Sequence, residues 1–469
     1  MTRDPYYDNA KFLIIWMVVV AHGMELFAAS NGASNGLHKM IMAFATPAFA
    51  FLSGVFSRAD LTTGEALKAG SRILVPYFAF QVIFNALDHL YNGYPLVSYS
   101  IFDPYWGLWY VLALFVWRLL LPLISASRFP LILSIVIGLA AGFLPANNAL
   151  VVNPRAFVFL PFFVAGHLVG RDRERLKRLT VLPLRIAAAV CLPGLAALFI
   201  LFHELIDWRW LLPRSNAVQL GLSGGEWLAI RAGAYGATLI LGACAFSLVP
   251  KRRTFFTALG VGTFYVYLLH IPLIRWATFA GLAAAVRSFL ASEALEVAAV
   301  FAAAAVVTLV LSQKPVRVAF RFLVEPSPRA VSVGAPLLIA LAVGLAFIPS
   351  LNHWGADVVR LQDIAPSVAR SASLPPIEIG PAGLIVKLGR KRTERKATLR
   401  IDCTATYTVT LFDGRFFVGT AEFTADESTS RAELELPIAG RKKYDTLVLE
   451  PWNDMPCGAS SRLSTLRFH

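Results

Sequence analysis

Charged residues are scarce in this chain of 469 residues: Asp, Glu, Lys and Arg make up 15% of it, whereas hydrophobic residues make up 57%. A soluble domain usually carries about 25% charged and 45–50% apolar residues. The apolar residues fall in repeated runs of about 20 residues before position 350, the length that a helix needs to cross a bilayer. The composition therefore excludes a single soluble domain and predicts a polytopic helical membrane protein that ends in a polar tail.

Other absences reduce the number of functional classes to consider. The sequence shows no cluster of metal-ligating residues and no Gly-Asp-Ser block, so we expect neither a metal site nor an SGNH-type esterase tail. The first predicted outer loop, 30–38, contains no Asp or Glu, which argues against a glycosyltransferase that uses a lipid-linked sugar. We found no inverted repeat and no charged intramembrane pathway, which argues against a glycan transporter or flippase. Both classes stay open as alternatives.

The net charge of +14 reflects short loops rather than a nucleic-acid surface. No basic face with interleaved aromatic residues is present, so we expect no nucleic acid as a partner. With the N-terminus in the cytoplasm, the outer loops carry Arg209, Arg214 and Arg287, and the positive-inside rule then predicts this orientation. The cytoplasmic connections are more basic and carry Arg58, Lys68, Arg72, Arg128, Arg171, Arg173, Arg175, Lys177, Arg178, Arg185, Lys251, Arg252, Arg253, Lys314, Arg317, Arg321 and Arg329.

The apolar runs predict about eleven transmembrane helices in the plasma (inner) membrane. Tyr105, Trp106 and Trp109 fall at the outer start of the fourth, where we expect interface anchors. Because eleven is an odd number, the C-terminal tail is expected outside the cytoplasm. The predicted spans are 11–29, 39–57, 73–90, 107–124, 130–145, 156–170, 184–203, 228–249, 258–279, 294–312 and 331–350.

The chain is expected to divide into a transmembrane domain (1–350), a polar linker punctuated by prolines (351–378) and a small extracytoplasmic domain (379–469). Hydrophobic residues alternate with a period of two in the last segment, and Asp413-Gly414 is a tight hairpin signal. The pattern predicts an all-β, sandwich-like fold for this domain.

Cys403 and Cys457 lie near the two ends of the predicted β domain. A domain of about 90 residues is near the lower size limit for a stable core, so a disulfide between them in an oxidising compartment would stabilise it. Two unpaired buried thiols are the alternative.

The first apolar run carries an imidazole near its far end. His22 lies roughly 16 Å along a helix from Lys11, which is about halfway through the hydrocarbon layer if Lys11 marks the membrane surface. Glu25 follows three residues later on the same helical face, where a carboxylate can orient an imidazole that takes a proton from a hydroxyl. An ionisable group at this depth is a functional candidate, and a hydrogen bond to a neighbouring helix is the alternative.

The segment Asp8-Asn9-Ala10-Lys11, followed by ten residues and His22, resembles the basic-x10-His signature of the acyltransferase-3 superfamily of membrane O-acyltransferases. The closer likeness is to the fucose 4-O-acetylase-like branch of that superfamily. Further blocks occur in the same order as in that branch, and together they cover about 1–330: Pro47–Gly54, Arg72–Tyr77, Leu108–Leu114, Arg155–Phe163 and Tyr265–Leu273.

The resemblance implies transfer of an acyl group, usually acetyl from acetyl-CoA, to a hydroxyl of a cell-envelope sugar, polysaccharide or glycolipid. Acyl-CoA would be a co-substrate, and no bound cofactor is expected. His22 is then expected to be the catalytic base, assisted by Glu25, with Asp8 and Lys11 supporting the site from its cytoplasmic end. His270 is expected to be a second catalytic or acceptor-side group, with an interhelical hydrogen bond as the alternative.

Two further sets of residues are expected to bind substrates. Asp8, Trp109, Arg155 and Tyr267 would contact the acceptor, and for Trp109 and Arg155 the alternative is anchoring at the membrane interface. Lys11, Lys68 and Arg72 are expected to bind CoA. Lys68 and Arg72 are one helical turn apart on a cytoplasmic segment, where two cations could hold its phosphates. For this pair the alternative is a topology signal alone.

The sequence departs from the resembled branch at two places. Phe44-Ala45-Thr46-Pro47 stands where that branch usually has Phe-His-Met-Pro, so a second histidine is missing. Its role is dispensable here, or His38 or His270 supplies it, or the donor or acceptor differs. The paired arginines of the family, Arg-x-x-Arg, are replaced by the looser basic pair Lys68 and Arg72.

Overall fold

The computed structural model describes residues 4–27, 31–60, 63–92, 104–143, 154–213, 217, 220, 222–290 and 292–326, and in the tail 357–360, 377–379, 384–401, 406–413, 416–424, 431–436, 443–451 and 461–468. Contacts between Cα atoms divide the chain into two compact units. One comprises Met1–Gln81 and Phe102–Ala340, and the other comprises Val82–Ile101 and Leu341–His469.

The described part of the first 326 residues is almost entirely helical. The 3-10 turns used below are Trp106–Leu108 and Thr257–Gly262. The α-helices are α1 Pro5–Glu25, α2 Gly32–Val55, α3 Thr63–Asn92, α4 Trp109–Ala126, α5 Pro130–Ala140, α6 Arg155–Gly170, α7 Glu174–Lys177, α8 Leu182–Leu201, α9 Trp208–Leu211, α10 Gly224–Leu248, α11 Thr263–Phe279, α12 Leu282–Phe289, α13 Glu293–Leu311 and α14 Lys314–Val324.

The first ten predicted spans each overlap a helix, and the eleventh, 331–350, lies outside the described residues. Among the described residues, five helical segments are long and apolar enough to cross a membrane, and three shorter ones are apolar. The long segments are Trp106–Ala126, Leu182–Leu201, Gly224–Leu248, Thr257–Phe279 and Glu293–Leu311, and the short ones are Arg72–Leu87, Pro130–Phe143 and Arg155–Gly170.

The first two helices begin about six residues earlier than the hydropathy predicted, because capping decides where each helix starts. The Asp4 carboxylate accepts a hydrogen bond from the Tyr6 N–H at 3.0 Å, and Pro5 occupies the first helical position. Asn31 caps α2 in the same way by accepting from the Ser34 N–H at 2.8 Å. Polar residues before the apolar run are therefore part of each helix.

Helix α1 lies inside the bundle and packs against α2, α11, α13 and the turn Thr257–Gly262. Most of its side chains are buried, including the polar Asp8 and Asn9 near its start. A Cβ on Gly260 would lie 2.2 Å from the Asp8 carbonyl oxygen, so glycine is required where the turn meets the α1 backbone. The helix that carries His22 is thus enclosed on several sides.

Helices α2 and α6 approach each other so closely that their backbones touch. A Cβ on Gly54 would lie 1.9 Å from the Phe163 carbonyl oxygen, and one on Gly166 would lie 1.9 Å from that of Phe51. Gly170, four residues after Gly166, would bring a Cβ to 2.5 Å from the Val55 carbonyl oxygen. Small residues at this spacing allow helices in a membrane to gain close van der Waals contact.

The described part of the tail consists of strands in two sheets, with orders β1-β3-β8-β5-β6 and β2-β9-β4-β7. Neighbouring strands are antiparallel except for the parallel pair β1 and β3. The strands are β1 Asp357–Arg360, β2 Ile377–Ile379, β3 Leu384–Arg392, β4 Lys396–Ile401, β5 Thr406–Asp413, β6 Phe416–Thr424, β7 Arg431–Glu435, β8 Tyr444–Pro451 and β9 Ser461–Phe468.

Apolar side chains from both sheets form one buried cluster in the tail, which includes Val386, Leu399, Val409, Leu447 and Leu463. The period-two segments of the sequence overlap β4 to β8, and β5 and β6 pair antiparallel across the Asp413-Gly414 turn signal.

Two features of the tail differ from, or lie beyond, what the sequence indicated. Strand β1 falls inside the segment predicted to be a linker, because its β-branched Val358 and Val359 pair with β3. Cys403 and Cys457 lie outside the described residues, so the disulfide stays a prediction.

We predict that Gly166→Ala destabilises the bundle. The new methyl group would collide with the Phe51 carbonyl oxygen on α2, and the helices must separate to relieve the overlap. Overpacking of this kind costs about 1–3 kcal/mol. The measurement is the Tm of the purified protein in detergent, compared with Gly242→Ala in α10, whose Cβ would meet nothing within 4 Å. Equal Tm values for the two variants would contradict the close contact.

Candidate active site

Two imidazoles and an indole meet where α1, α11 and the turn before α4 converge. The rings of His22 and His270 have centroids 5.3 Å apart and are inclined by 30°. The Trp106 ring lies 4.3 Å from the His22 ring. His270 is 1% exposed, whereas the His22 side chain keeps 14% of its surface accessible. The structure thus brings together two of the histidines that the sequence singled out.

Each imidazole is oriented through its Nδ1 atom. His270 Nδ1 is 3.0 Å from the Val266 carbonyl oxygen, and since a carbonyl only accepts, Nδ1 carries the hydrogen. His22 Nδ1 is 3.4 Å from Glu25 Oε2, and a carboxylate there favours the same tautomer. In the neutral rings Nε2 then holds the lone pair, and the buried Nε2 of His270 has no hydrogen-bond partner among the described residues.

The sequence predicts interface anchors at Tyr105, Trp106 and Trp109, and burial contradicts this prediction for Tyr105 and Trp109, whereas Trp106 is half-buried. Tyr105 is 2% exposed and Trp109 is 9% exposed, so neither presents its ring to lipid headgroups. Trp106 has φ of 29°, a left-handed conformation that costs a bulky residue free energy. The turn holds this strained residue in place while its ring covers His22, a contact that hydropathy gives no signal for.

Tyr267 closes the space next to the imidazoles. Its hydroxyl donates a hydrogen bond to the Gly107 carbonyl oxygen, and its ring lies 6.1 Å from that of His270 and 5.5 Å from that of Tyr110. The Tyr110 hydroxyl is in turn 2.8 Å from Ser53 Oγ. Helices α2, α4 and α11 are therefore linked by hydroxyl groups beside the histidine pair.

A cavity of about 1050 Å³ reaches this network from another side. Four basic side chains line it, and it is otherwise mostly apolar. His22 and His270 do not line it, whereas Tyr110 and Tyr267 do, so the tyrosines stand between the cavity and the imidazoles. Its lining residues are Lys11, Phe49, Leu52, Ser53, Phe56, Arg72, Ile73, Tyr110, Leu114, Arg118, Thr263, Phe264, Tyr267, Val318, Arg321, Phe322, Val324, Glu325 and Pro326.

The predicted CoA-binding residues are placed differently from one another. Lys11 lines the cavity, contacts Asp8 at 3.4 Å and lies 4.0 Å above the Phe56 ring. Arg72 is exposed and also lines the cavity. Lys68 belongs to α3, but its side chain is outside the described set. Asp8 is buried beside Lys11 rather than next to the histidines.

The remaining candidates lie around the tyrosines. Arg155 is buried and its guanidinium is 5.3 Å from the Trp109 ring, so these two predicted acceptor contacts are adjacent. His38, considered as a substitute for the missing histidine, has its Nδ1 2.9 Å from the Ala21 carbonyl oxygen in the turn before Glu25. Ala45, where the resembled branch has histidine, is fully buried in an apolar cluster that includes Val266.

Asn9 is a residue whose role the sequence did not reveal. It is 0% exposed, and its amide donates to the carbonyl oxygens of Pro250 at 2.9 Å and Arg252 at 3.0 Å. Its own oxygen accepts from the hydroxyls of Thr254 at 3.1 Å and Thr257 at 2.7 Å. All four hydrogen bonds tie the start of α1 to the segment after α10. Asn9 therefore fixes the axial position of His22, about 20 Å further along the helix.

An ion pair adds a second tie at the same end. Lys177 Nζ is 2.5 Å from Asp4 Oδ2 and 2.8 Å from Glu174 Oε1. Partial burial lowers the pKa of the Lys177 ammonium, but the hydrogen bonds and the attraction of the two carboxylates outweigh burial and raise it overall. The charged form is thereby favoured, and the loop after α6 stays attached to the N-terminus of α1.

The apolar helices are typical of a membrane protein, and the His22–His270 pair lies inside the helical bundle. The family model described as the acyltransferase domain, acyltransferase-3, matches residues 4–313, and the chain belongs to that family. All the helices that form the pair, the tyrosine network and Asn9 fall within the match. Comparison with curated proteins and with solved structures gave no match.

We predict that Asn9→Asp destabilises the protein by about 3 kcal/mol. The carboxylate keeps both threonine hydrogen bonds but faces the Pro250 and Arg252 carbonyl oxygens, to which it cannot donate, and it is buried. The measurement is Tm in detergent. Asn35→Asp, on a half-buried position of α2, is the matched control and should change stability by less than about 1 kcal/mol. A similar Tm for both variants would refute the anchoring role.

Proposed function

We propose that this member of the acyltransferase-3 family is a membrane O-acyltransferase. It moves an acyl group, acetyl by preference, from cytoplasmic acyl-CoA to a hydroxyl of a cell-envelope sugar, polysaccharide or glycolipid. The family membership supports acyl transfer, and the resemblance to the fucose 4-O-acetylase-like branch supports a carbohydrate acceptor. The observation that carries the proposal is the His22–His270 pair, with both Nδ1 atoms oriented and the Nε2 of His270 without a hydrogen-bond partner among the described residues.

In the proposed reaction the acceptor hydroxyl oxygen attacks the thioester carbonyl carbon of acyl-CoA. His22 Nε2 takes the hydroxyl proton as the C–O bond forms, and the C–S bond then breaks. The proton passes from the imidazolium to the CoA thiolate, so the ring returns to its neutral form. Glu25, which contacts His22 Nδ1, stabilises the imidazolium while it exists.

His270 is the second group of the site in this proposal. Its ring centroid lies 5.3 Å from that of His22, and its buried Nε2 accepts a hydrogen bond from a second hydroxyl of the acceptor, which holds the attacking hydroxyl in place. This role also offers an answer to the histidine that Ala45 replaces. A second imidazole that comes from α11 removes the need for one on α2.

The donor is proposed to enter the cavity that Lys11, Arg72, Arg118 and Arg321 line. These cations are suited to the phosphates of CoA, and the apolar walls to the pantetheine and acyl portions. The cavity ends at Tyr267, whose ring lies 6.1 Å from that of His270, so a thioester at that end would be close to the imidazole pair.

For the whole chain we propose the membrane topology that the sequence predicts. About eleven helices span the plasma membrane with the N-terminus in the cytoplasm, because the connecting loops on that side are the basic ones. The β-rich tail then lies outside the cytoplasm, where it positions the acceptor glycan or covers the outer entrance. Arg155, Trp109 and Tyr267 are proposed to contact the acceptor sugar.

We predict that His22→Ala lowers acyl transfer by about 10²–10⁴-fold, the usual contribution of a general base. The measurement uses membranes containing the protein and acetyl-CoA labelled in the acetyl group, and it follows label in envelope carbohydrate. His270→Ala should also lower transfer, with a smaller loss because it positions rather than deprotonates.

The matched control is His167→Ala on α6, whose Nδ1 contacts the Ser57 carbonyl oxygen away from the imidazole pair. It should retain most of the transfer activity. A His22→Ala protein that acetylates its acceptor at the normal rate would contradict the proposed function, and so would the absence of labelled carbohydrate with the wild-type protein.

We predict that Arg72→Ala raises the KM for acyl-CoA about tenfold and changes kcat little, because a phosphate contact acts on donor binding more than on the chemical step. The control is Arg185→Ala, an exposed residue at the start of α8. The measurement is initial rate against acyl-CoA concentration. An unchanged KM with a reduced kcat would remove Arg72 from the donor site.

A further inference from the structure

Arg231 is a buried cation that the proposed reaction does not use. It is 1% exposed on α10, one of the helices long and apolar enough to cross a membrane. Its Nε and Nη2 atoms are buried without a hydrogen-bond partner among the described residues. Charged groups inside a membrane protein are expensive and mark functional sites by default.

Two polar side chains next to Arg231 on α10 have hydrogen-bond partners, whereas two nitrogens of its guanidinium have none among the described residues. Trp227, Arg231 and Tyr235 are four residues apart and share one face of α10. The Trp227 indole donates to the Leu139 carbonyl oxygen at 3.1 Å, and the Tyr235 hydroxyl donates to that of Val158 at 2.7 Å. Arg231 lies between them with its guanidinium 4.7 Å from the Trp227 ring.

Among the described residues, no carboxylate forms an ion pair with Arg231. The titratable side chain that acts on its charge there is the Tyr235 phenol, one turn further along α10. Arg287 shows the contrast: it is ion-paired at 3.3 Å to the buried Glu296. An aromatic face stabilises a cation only partly, so Arg231 still has donors to offer to an anion.

The location of Arg231 points to the acceptor rather than the donor. The Tyr235 hydroxyl bonds to Val158 on α6, three residues after Arg155. Arg231 lies four residues before Tyr235 on α10. The two arginines therefore lie at similar positions along neighbouring helices. Arg155 contacts Trp109, next to the tyrosine network. Neither arginine lines the basic cavity proposed for acyl-CoA.

We propose that Arg231 binds an oxyanion of the acceptor, a carboxylate or a phosphate, through its unpartnered Nε and Nη2. A planar guanidinium offers two parallel donors that match either group. The identification of the oxyanion with the acceptor rests on the proposed function, whereas the anion site itself does not. The acceptor class is thereby an acidic sugar or a sugar attached to a phosphate-bearing lipid.

The test uses purified full-length protein in a non-ionic detergent and chloride buffer. Arg231→Met keeps the length and apolar stem of the side chain and removes the unpartnered charge. Its Tm should be about 2–4 °C above that of the wild type in the absence of added anions, because a buried charge without a partner destabilises. Arg287→Met, which breaks an ion pair, is the matched control and should lower Tm.

Sodium glucuronate and phosphatidylglycerol are then added separately, with sodium chloride and glucose as controls. At least one anionic probe should raise the wild-type Tm by about 2–4 °C and that of Arg231→Met by less than about 1 °C. A response to glucuronate assigns the site to an acidic sugar, and a response to phosphatidylglycerol assigns it to a lipid phosphate. Arg231→Lys, which retains the charge but not the planar donors, should show a reduced response.

Two results would overturn the proposal: a Tm of Arg231→Met at or below the wild-type value without anions, or the same response of wild type and Arg231→Met to every probe. Because these measurements need no acyl transfer, they are independent of the labelling experiment. If an anion binds but no labelled carbohydrate forms, the anion site is supported and the proposed function is wrong. If labelled carbohydrate forms but no anion binds, the proposed function is supported and the anion site is wrong.

Discussion

The four hydrogen bonds of Asn9 are the constraint on which the histidine site depends. A helix that is buried along most of its length can slide along its axis unless something polar fixes it, since apolar contacts are non-directional. Asn9 supplies two donors and two acceptor contacts to partners near the cytoplasmic end that the charge pattern predicts. A shift of one residue would break all four and move His22 by about 1.5 Å relative to His270. The position of His22 near the end of α1 is thus determined by contacts at the start of that helix.

The site combines close packing with one strained segment. Helices α2 and α6 touch through Gly54, Gly166 and Gly170, which leaves little freedom in that part of the bundle. The left-handed Trp106 lies in the turn whose next residue, Gly107, accepts the Tyr267 hydrogen bond. Strain of this kind persists only where neighbouring contacts hold the backbone in place. Here those contacts also position the indole on the His22 ring.

Hydropathy was sufficient to locate ten of the described helices, because the requirement for apolar residues is local and repeats at every span. The helix starts were missed by several residues, since Asp4 and Asn31 act through capping rather than hydropathy. His22 could be identified from its depth alone. Trp106 could not, because its role depends on the approach of a turn more than 80 positions away in sequence. The cavity is likewise assembled from α1, α2, α3, α4, α11 and α14, and no single stretch encodes it.

The arrangement of tyrosines separates the two halves of the proposed reaction. The basic cavity ends at Tyr110 and Tyr267, while the imidazoles lie beyond them and do not line it. In the proposed reaction, a thioester in the cavity would have to pass these tyrosines to reach His22, and Tyr267 is held there by its hydrogen bond to the Gly107 carbonyl oxygen. The Tyr267 hydroxyl thus connects the turn that contains Trp106 to the side chain that separates the cavity from the imidazoles.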